Sequence, residues 1–127
     1  MEIVAALFVE NIQFRQVEGP STRIDITGAF FSTRATEFPA HLAPHLVVLV
    51  RVPKDAASGS GTLETRFVNE AGVEVGRNVQ PFEVEPGKFG YRLVKGELEY
   101  ESPSTIEAHC TIAESGSSVV VPLTVIA

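Results

Sequence analysis

Residues 63–79 read L-E-T-R-F-V-N-E-A-G-V-E-V-G-R-N-V, from Leu63 to Val79. Apolar and polar residues alternate on both sides of E-A-G, and the period is two rather than 3.6. A three-residue loop, Glu70-Ala71-Gly72, with Gly72 left-handed, fits a type I turn followed by a bulge. That register sets Phe67 opposite Val75 and Leu63 opposite Val79. Glu64, Arg66 and Glu74 then fall on the other face. One register gathers the apolar residues, which is how strand register is specified. The stretch is a β-hairpin, and the question becomes whether the rest of the chain follows the same period.

It does in both directions. Upstream, L-V-V-L-V-R-V (Leu46 to Val52) is the strongest strand of the chain. The K-D-A-A-S-G-S-G segment after it (54–61) is small and polar, and reads as a mobile hairpin tip. Pro39 and Pro44 make T-E-F-P-A-H-L-A-P-H (36–45) a loop. Near the N-terminus, Ile3, Ala5, Leu7 and Val9 alternate with Val4, Ala6 and Phe8. Both faces are apolar, as in a strand covered on both sides. N-I-Q-F-R-Q-V and R-I-D-I-T-G-A-F-F follow, separated by Glu18 to Ser21, and Gly28 marks a bulge or sharp bend. Downstream, E-P-G-K places Pro86 and Gly87 for a type II turn. Gly72 and Gly87 should therefore have positive φ.

The last hairpin holds T-I-E-A-H-C-T-I, Thr105 to Ile112, where the single cysteine, Cys110, follows His109 directly. A four-residue loop Glu114-Ser115-Gly116-Ser117 would oppose Ile112 to Val119, Cys110 to Val121, Ala108 to Leu123 and Ile106 to Val125. All these pairs are apolar. Cys110 and His109 then point to opposite faces, so the imidazole cannot serve as base for the thiol. Pro122 suggests that the final strand is an edge. With roughly eight to ten strands, no helix and regular turns, the expectation is one all-β domain over residues 1–127. Its architecture would be an antiparallel β-sandwich, immunoglobulin-like or a related two-sheet form.

The motif order adds a resemblance. M-E-I-V-A-A-L-F-V-E-N, I-T-G-A-F-F, F-P-A-H and R-F-V-N-E-A-G-V-E-V resemble a family of small bacterial β-sandwich proteins carrying a domain of unknown function. The likeness spans residues 1 to 84. Past that point the family's P-G-x-Y segment is replaced by S-P-S-T-I, Ser102 to Ile106. The resemblance implies the sandwich, and it implies no catalytic residue and no cofactor.

Composition bounds what such a domain does. The 127 residues carry a net charge of −6. That opposes binding to nucleic acid, which rests on basic residues neutralising phosphates. A lone cysteine forms no internal disulfide. No apolar run approaches the roughly eighteen residues of a membrane span, and no basic leader precedes the first strand. A cytoplasmic, soluble protein without membrane or nucleic-acid partners is expected.

Three groups of side chains invite chemistry. His41 and His45 stand four apart, with His109 or a glutamate as a third metal ligand. Pro44 spoils the helical geometry that such spacing needs, and structural zinc sites show tighter Cys/His spacing. Glu97, Glu99 and Glu101 share one strand face, with Leu98 and Tyr100 on the other. That row could meet a cation, yet three extended glutamates reach one ion poorly, and a solvated face that discourages edge pairing is the simpler reading. No nucleophile elbow, phosphate loop or dinucleotide fingerprint occurs. The expectation is a non-catalytic interaction or accessory module, without cofactor, meeting a protein partner or itself as a weak homodimer through a sheet edge. A small-ligand binder with its pocket near Phe38-Pro39 is the alternative, and a metal-dependent enzyme using the loop histidines the third.

Overall fold

Alternating apolar strands must bury one face each, and the computed structural model shows how they do so. It describes residues 1–16 and 22–127. The Glu18–Ser21 turn lies outside the described residues. Eleven strands form: β1 (Glu2–Gln16), β2 (Thr22–Ala29), β3 (Ser32–Arg34), β4 (Ala40–Leu42), β5 (His45–Arg51), β6 (Ser60–Val68), β7 (Glu74–Glu83), β8 (Phe89–Lys95), β9 (Leu98–Tyr100), β10 (Ser104–Ile112) and β11 (Ser118–Ile126). The count exceeds the eight to ten expected because β3 and β4, only three residues each, are added. No helix occurs among the described residues, and so none long and apolar enough to cross a membrane.

The strands make three sheets, ordered β2-β1-β5-β8, β3-β11-β10-β6-β7 and β4-β9. All pairs are antiparallel except β3 with β11. The two larger sheets share one apolar core. Phe8, Leu46, Val48, Val50 and Val94 enter it from the four-stranded sheet. Leu63, Phe67, Ile106, Ala108, Cys110, Ile112 and Leu123 enter from the five-stranded one. Each fully buried aliphatic side chain contributes roughly 1.5–3 kcal/mol. Leu98 and Tyr100 of the small β4-β9 sheet extend the same core.

The opening hairpin forms with one correction. The Glu70-Ala71-Gly72 loop is as expected: Gly72 N–H donates to the Asn69 carbonyl at 2.9 Å, and Gly72 has φ 79°. The pairing then slips between Phe67 and Val68, so Phe67 faces Gly76 and Leu63 faces Gln80. The reason is the Phe67 ring, which lies so close over Gly76 that a Cβ there would sit 3.3 Å from its Cδ2. A valine opposite Phe67 would not fit. Val75 and Val79 turn outward and are exposed, while Asn78 and Gln80 turn inward. These amides are satisfied. Gln80 Nε2 donates to Asn78 Oδ1 at 3.0 Å and to the Leu93 carbonyl at 3.1 Å. Arg92 Nε adds a bond to the Pro81 carbonyl at 3.0 Å. Edge strands β7 and β8, from different sheets, are thus tied together along one side of the core.

The last hairpin keeps the expected faces but not the expected partners. Its four-residue loop is Ala113–Gly116, closed by Ile112 N–H donating to the Ser117 carbonyl at 2.9 Å. Cys110 therefore pairs with Val119, Ala108 with Val121, Ile106 with Leu123 and Ser104 with Val125. The shift of two leaves side-chain direction unchanged, because strand facing has period two. It is explained by Gly116, whose φ of 74° closes the turn one residue earlier than a loop ending at Ser117. Ser117 is freed to accept a 3.0 Å bond from the Ile3 N–H.

Pro122 is an edge residue only in part. β3 joins β11 at Thr124–Ile126, just past the proline, and Ser118–Leu123 has no strand partner on that side among the described residues. The Pro86-Gly87 turn forms as expected, with Gly87 at φ 90° and Lys88 N–H bonded to the Glu85 carbonyl at 3.1 Å. Gly28 is left-handed at φ 69°, but the register is the same on both sides of it, so there is no bulge.

Candidate functional site

The chemistry-bearing residues of the sequence do not converge. His41 is on β4 rather than in a loop, because Ala40–Leu42 pairs with β9. It faces Glu99, with Nε2 3.9 Å from Oε1, and is largely exposed. His45 opens β5, between Val9 and Lys95. His109 lies on β10 with Nε2 3.2 Å from Glu107 Oε1. The three histidines thus stand on three strands in three sheets. Among the described residues, no three of His, Cys, Asp or Glu are grouped as metal ligands would be. Glu97, Glu99 and Glu101 are exposed on one side of β9, while Leu98 and Tyr100 are buried on the other.

Cys110 and His109 point to opposite faces. Cys110 is fully buried, and burial pushes its thiol above the usual cysteine range. The Thr65 hydroxyl, itself fully buried, opposes this by donating to Sγ at 3.8 Å. Alternation along β10 alone does not reveal that hydroxyl partner, which comes from β6. Cys110→Ser is accordingly expected to cost about 1 kcal/mol, since the serine oxygen has Thr65 beside it. A chromogenic disulfide should label native Cys110 slowly and the denatured chain fast. Rapid labelling of the folded protein would contradict the buried placement.

The surface that stands out is the outer face of the four-stranded sheet. β5 alternates Leu46, Val48 and Val50 toward the core, so Val47 and Leu49 point away from it. On β8, Val94 is in the core, so Tyr91 and Leu93 point the same way as Leu49 and Val47, their register partners. From β1, Leu7 and Val9 join this face. Such a face is too apolar to be left to water.

Its cover is the far half of β1. β1 pairs with β5 through Glu2–Val9 and with β2 through Val9–Gln16, so β1 and β2 run on as a two-stranded ribbon. The ribbon is amphipathic. Ile12 pairs with Ile26 and Phe14 with Ile24 on one face; Gln13 pairs with Asp25 and Arg15 with Arg23 on the other. The Phe14 ring meets the Tyr91 ring at 5.7 Å between centroids. β5 stands between β1 and β8, so Phe14 reaches Tyr91 only by crossing the outer face. Val9 and Val47, outside the main core, are nonetheless buried at 1% and 2% exposure.

The cover is incomplete. Phe14 remains 54% exposed, Ile26 40%, Leu7 37% and Phe89 68%. Between ribbon and sheet lies a cleft of about 450 Å³ lined by Arg15, Arg23, Ile24, Leu49, Phe89, Gly90 and Tyr91. Two smaller clefts flank the histidine-bearing segment. One of about 330 Å³ is lined in part by Val9, Glu10, Phe30 and His45, and one of about 390 Å³ in part by His41, Glu97 and Glu99. They share Leu42 and Ala43, and Phe38-Pro39 lines neither. In the sequence the ribbon reads as two ordinary strands. The signal that could have found it is the apolar alternation of both faces of β1, which demands a second covering layer.

No model of a known protein family matches this chain, and no curated protein matches it.

Proposed function

We propose that the chain is a non-catalytic interaction module, a β-sandwich of immunoglobulin-like architecture working in the cytoplasm. Its working surface is the outer face of the four-stranded sheet together with the ribbon across it. The observation that carries this reading is the asymmetry of the two outer faces. The five-stranded sheet presents Glu64, Arg66, Arg77, Glu107 and His109, with Arg77 3.3 Å from Glu64 and 3.0 Å from Glu74. Val75, Val79 and Val120 are exposed there too, but as small aliphatic side chains set among these charges, Val79 beside Glu64 and Val120 beside His109. The four-stranded sheet presents Phe14, Phe89, Ile26 and Leu7 instead. Large apolar side chains left exposed on one face of a small domain mark a place where something else binds.

An edge lies beside the same face. β7 and β8 are occupied by the Gln80 and Arg92 bonds, whereas β2 lies at the end of its sheet with one side unpaired among the described residues. A sheet edge next to an apolar face suits a partner strand or a second copy as a weak homodimer. Native mass spectrometry of the chain purified from its own host should reveal that partner. Phe14→Ser/Phe89→Ser should lose it, and Val79→Ser/Val120→Ser on the opposite face should keep it. The reverse pattern, or a wild-type chain that carries nothing, would sink the proposal. The small-ligand alternative would use the two clefts around Leu42 and Ala43, near the Phe38-Pro39 segment but not lined by it.

A further inference from the structure

We infer that the cleft beneath the ribbon binds a small amphipathic anion, an aromatic or branched apolar body carrying one carboxylate or sulfonate. This goes beyond the interaction reading, since a partner could use the face with the cleft empty, and a ligand could fill the cleft with no partner present.

The floor of the cleft is Leu49, Phe89 and Tyr91, with Ile24 above it. These side chains offer a body of the ligand apolar area and two aromatic rings to pack on. Its basic residues are Arg15 and Arg23, register partners on the polar face of the ribbon that also line the cleft. Arg15 is held by Asp25, at 3.2 Å from Nε to Oδ2 and 3.2 Å from Nη2 to Oδ1. Arg23 forms no ion pair among the described residues. Among the described residues, two guanidinium groups stand against one carboxylate at this corner, in a chain with 10 basic and 16 acidic residues. A planar guanidinium donates two parallel N–H bonds to a carboxylate or sulfonate. The charge chooses an anion, and the floor chooses one with an apolar body.

The volume and the backbone exclude the larger occupants. A cleft of about 450 Å³ is in the size range of small-molecule sites. An extended peptide lying in it would need backbone partners along β8. There the Leu93 carbonyl is taken by Gln80, and the Tyr91 carbonyl by Arg92 Nη1 at 3.1 Å.

The test uses two fluorescent probes of similar shape and different charge. They are 1-anilinonaphthalene-8-sulfonate, an anion, and N-phenyl-1-naphthylamine, which is neutral. The anion is expected to bind the folded chain at one per molecule, roughly ten-fold more tightly than the neutral amine. Arg23→Gln should remove most of that ten-fold preference and leave the amine unaffected. Phe89→Ser should weaken both probes. Should Arg23→Gln disturb the ribbon, seen as a changed near-ultraviolet circular dichroism, Arg23→Lys keeps the charge and should retain the preference. Equal binding of the two probes, or anion binding indifferent to Arg23→Gln and Phe89→Ser, overturns the inference. Neither result touches the partner experiment, whose readout is a co-purifying chain.

Discussion

Gly59→Ala is expected to destabilise the fold by on the order of 3 kcal/mol, at the upper end of overpacking effects. Gly59 sits in the small, polar stretch before β6 that reads as a mobile loop in the sequence. In the structure its carbonyl accepts a 2.9 Å bond from the Val84 N–H, at the far end of β7. A Cβ on Gly59 would come 1.6 Å from the Val84 carbonyl oxygen and 2.7 Å from its carbon. The obstacle is backbone, not a side chain that can rotate away, so relief requires moving β7 or breaking the bond. Gly72→Ala is the useful contrast. Its Cβ would meet nothing within 4 Å, but φ is 79°. Left-handed strain alone should cost about 1–2 kcal/mol. Urea midpoints of the two variants read the difference directly. A Gly59→Ala midpoint no lower than that of Gly72→Ala would mean that the segment yields as a loose loop does.

That segment shows where the sequence is legible and where it is not. Period, turn glycines and face assignments are local properties. Gly72 and Gly87 could be given their conformations from neighbours alone, and Cys110 could be turned inward from alternation alone. Register is less local. The Phe67–Gly76 pairing depends on how a ring fills space against Gly76 and Gly96, both within 3.3 Å of it if given a Cβ. Apolar matching favours Val75, and volume overrides it. The alternation around Leu98 and Tyr100 shows β9 in the sequence, but β3 and β4 do not show, because their pairing is non-local: β3 finds β11 at the far end of the chain, and β4 finds β9. The candidate site follows the same rule. Each of Phe14, Leu49, Phe89 and Tyr91 reads as an ordinary strand residue. Only the crossing of the ribbon over its own sheet gathers them, and no spacing in the sequence encodes that crossing.

Tyr100 carries the other large expected effect, and it has a pH signature. It is among the largest fully buried side chains, at 1% exposure, on a strand of three residues. Its hydroxyl donates to the Leu123 carbonyl of β11 at 2.9 Å. The short β4-β9 sheet is therefore pinned to the five-stranded sheet through the core. Tyr100→Ala removes both the packing and the pin, and should cost about 4 kcal/mol. Tyr100→Phe keeps the ring, loses the hydroxyl, and should cost about 1–2 kcal/mol. Burial raises the phenol to about 12 from an ordinary 10, against a smaller opposing pull from the Ile106 backbone. The folded chain then holds its phenolic proton where the unfolded chain has already released it. The stabilisation tied to that proton is fully present below pH 10 and is lost as the pH rises through about 12. Two units correspond to about 3 kcal/mol across that window. Wild type should therefore lose more stability than Tyr100→Phe between pH 10 and 12, so that the gap between them closes or inverts as the base is added. Parallel curves for the two proteins over that range would show that Tyr100 reaches solvent, and that the small sheet is not held from the core side.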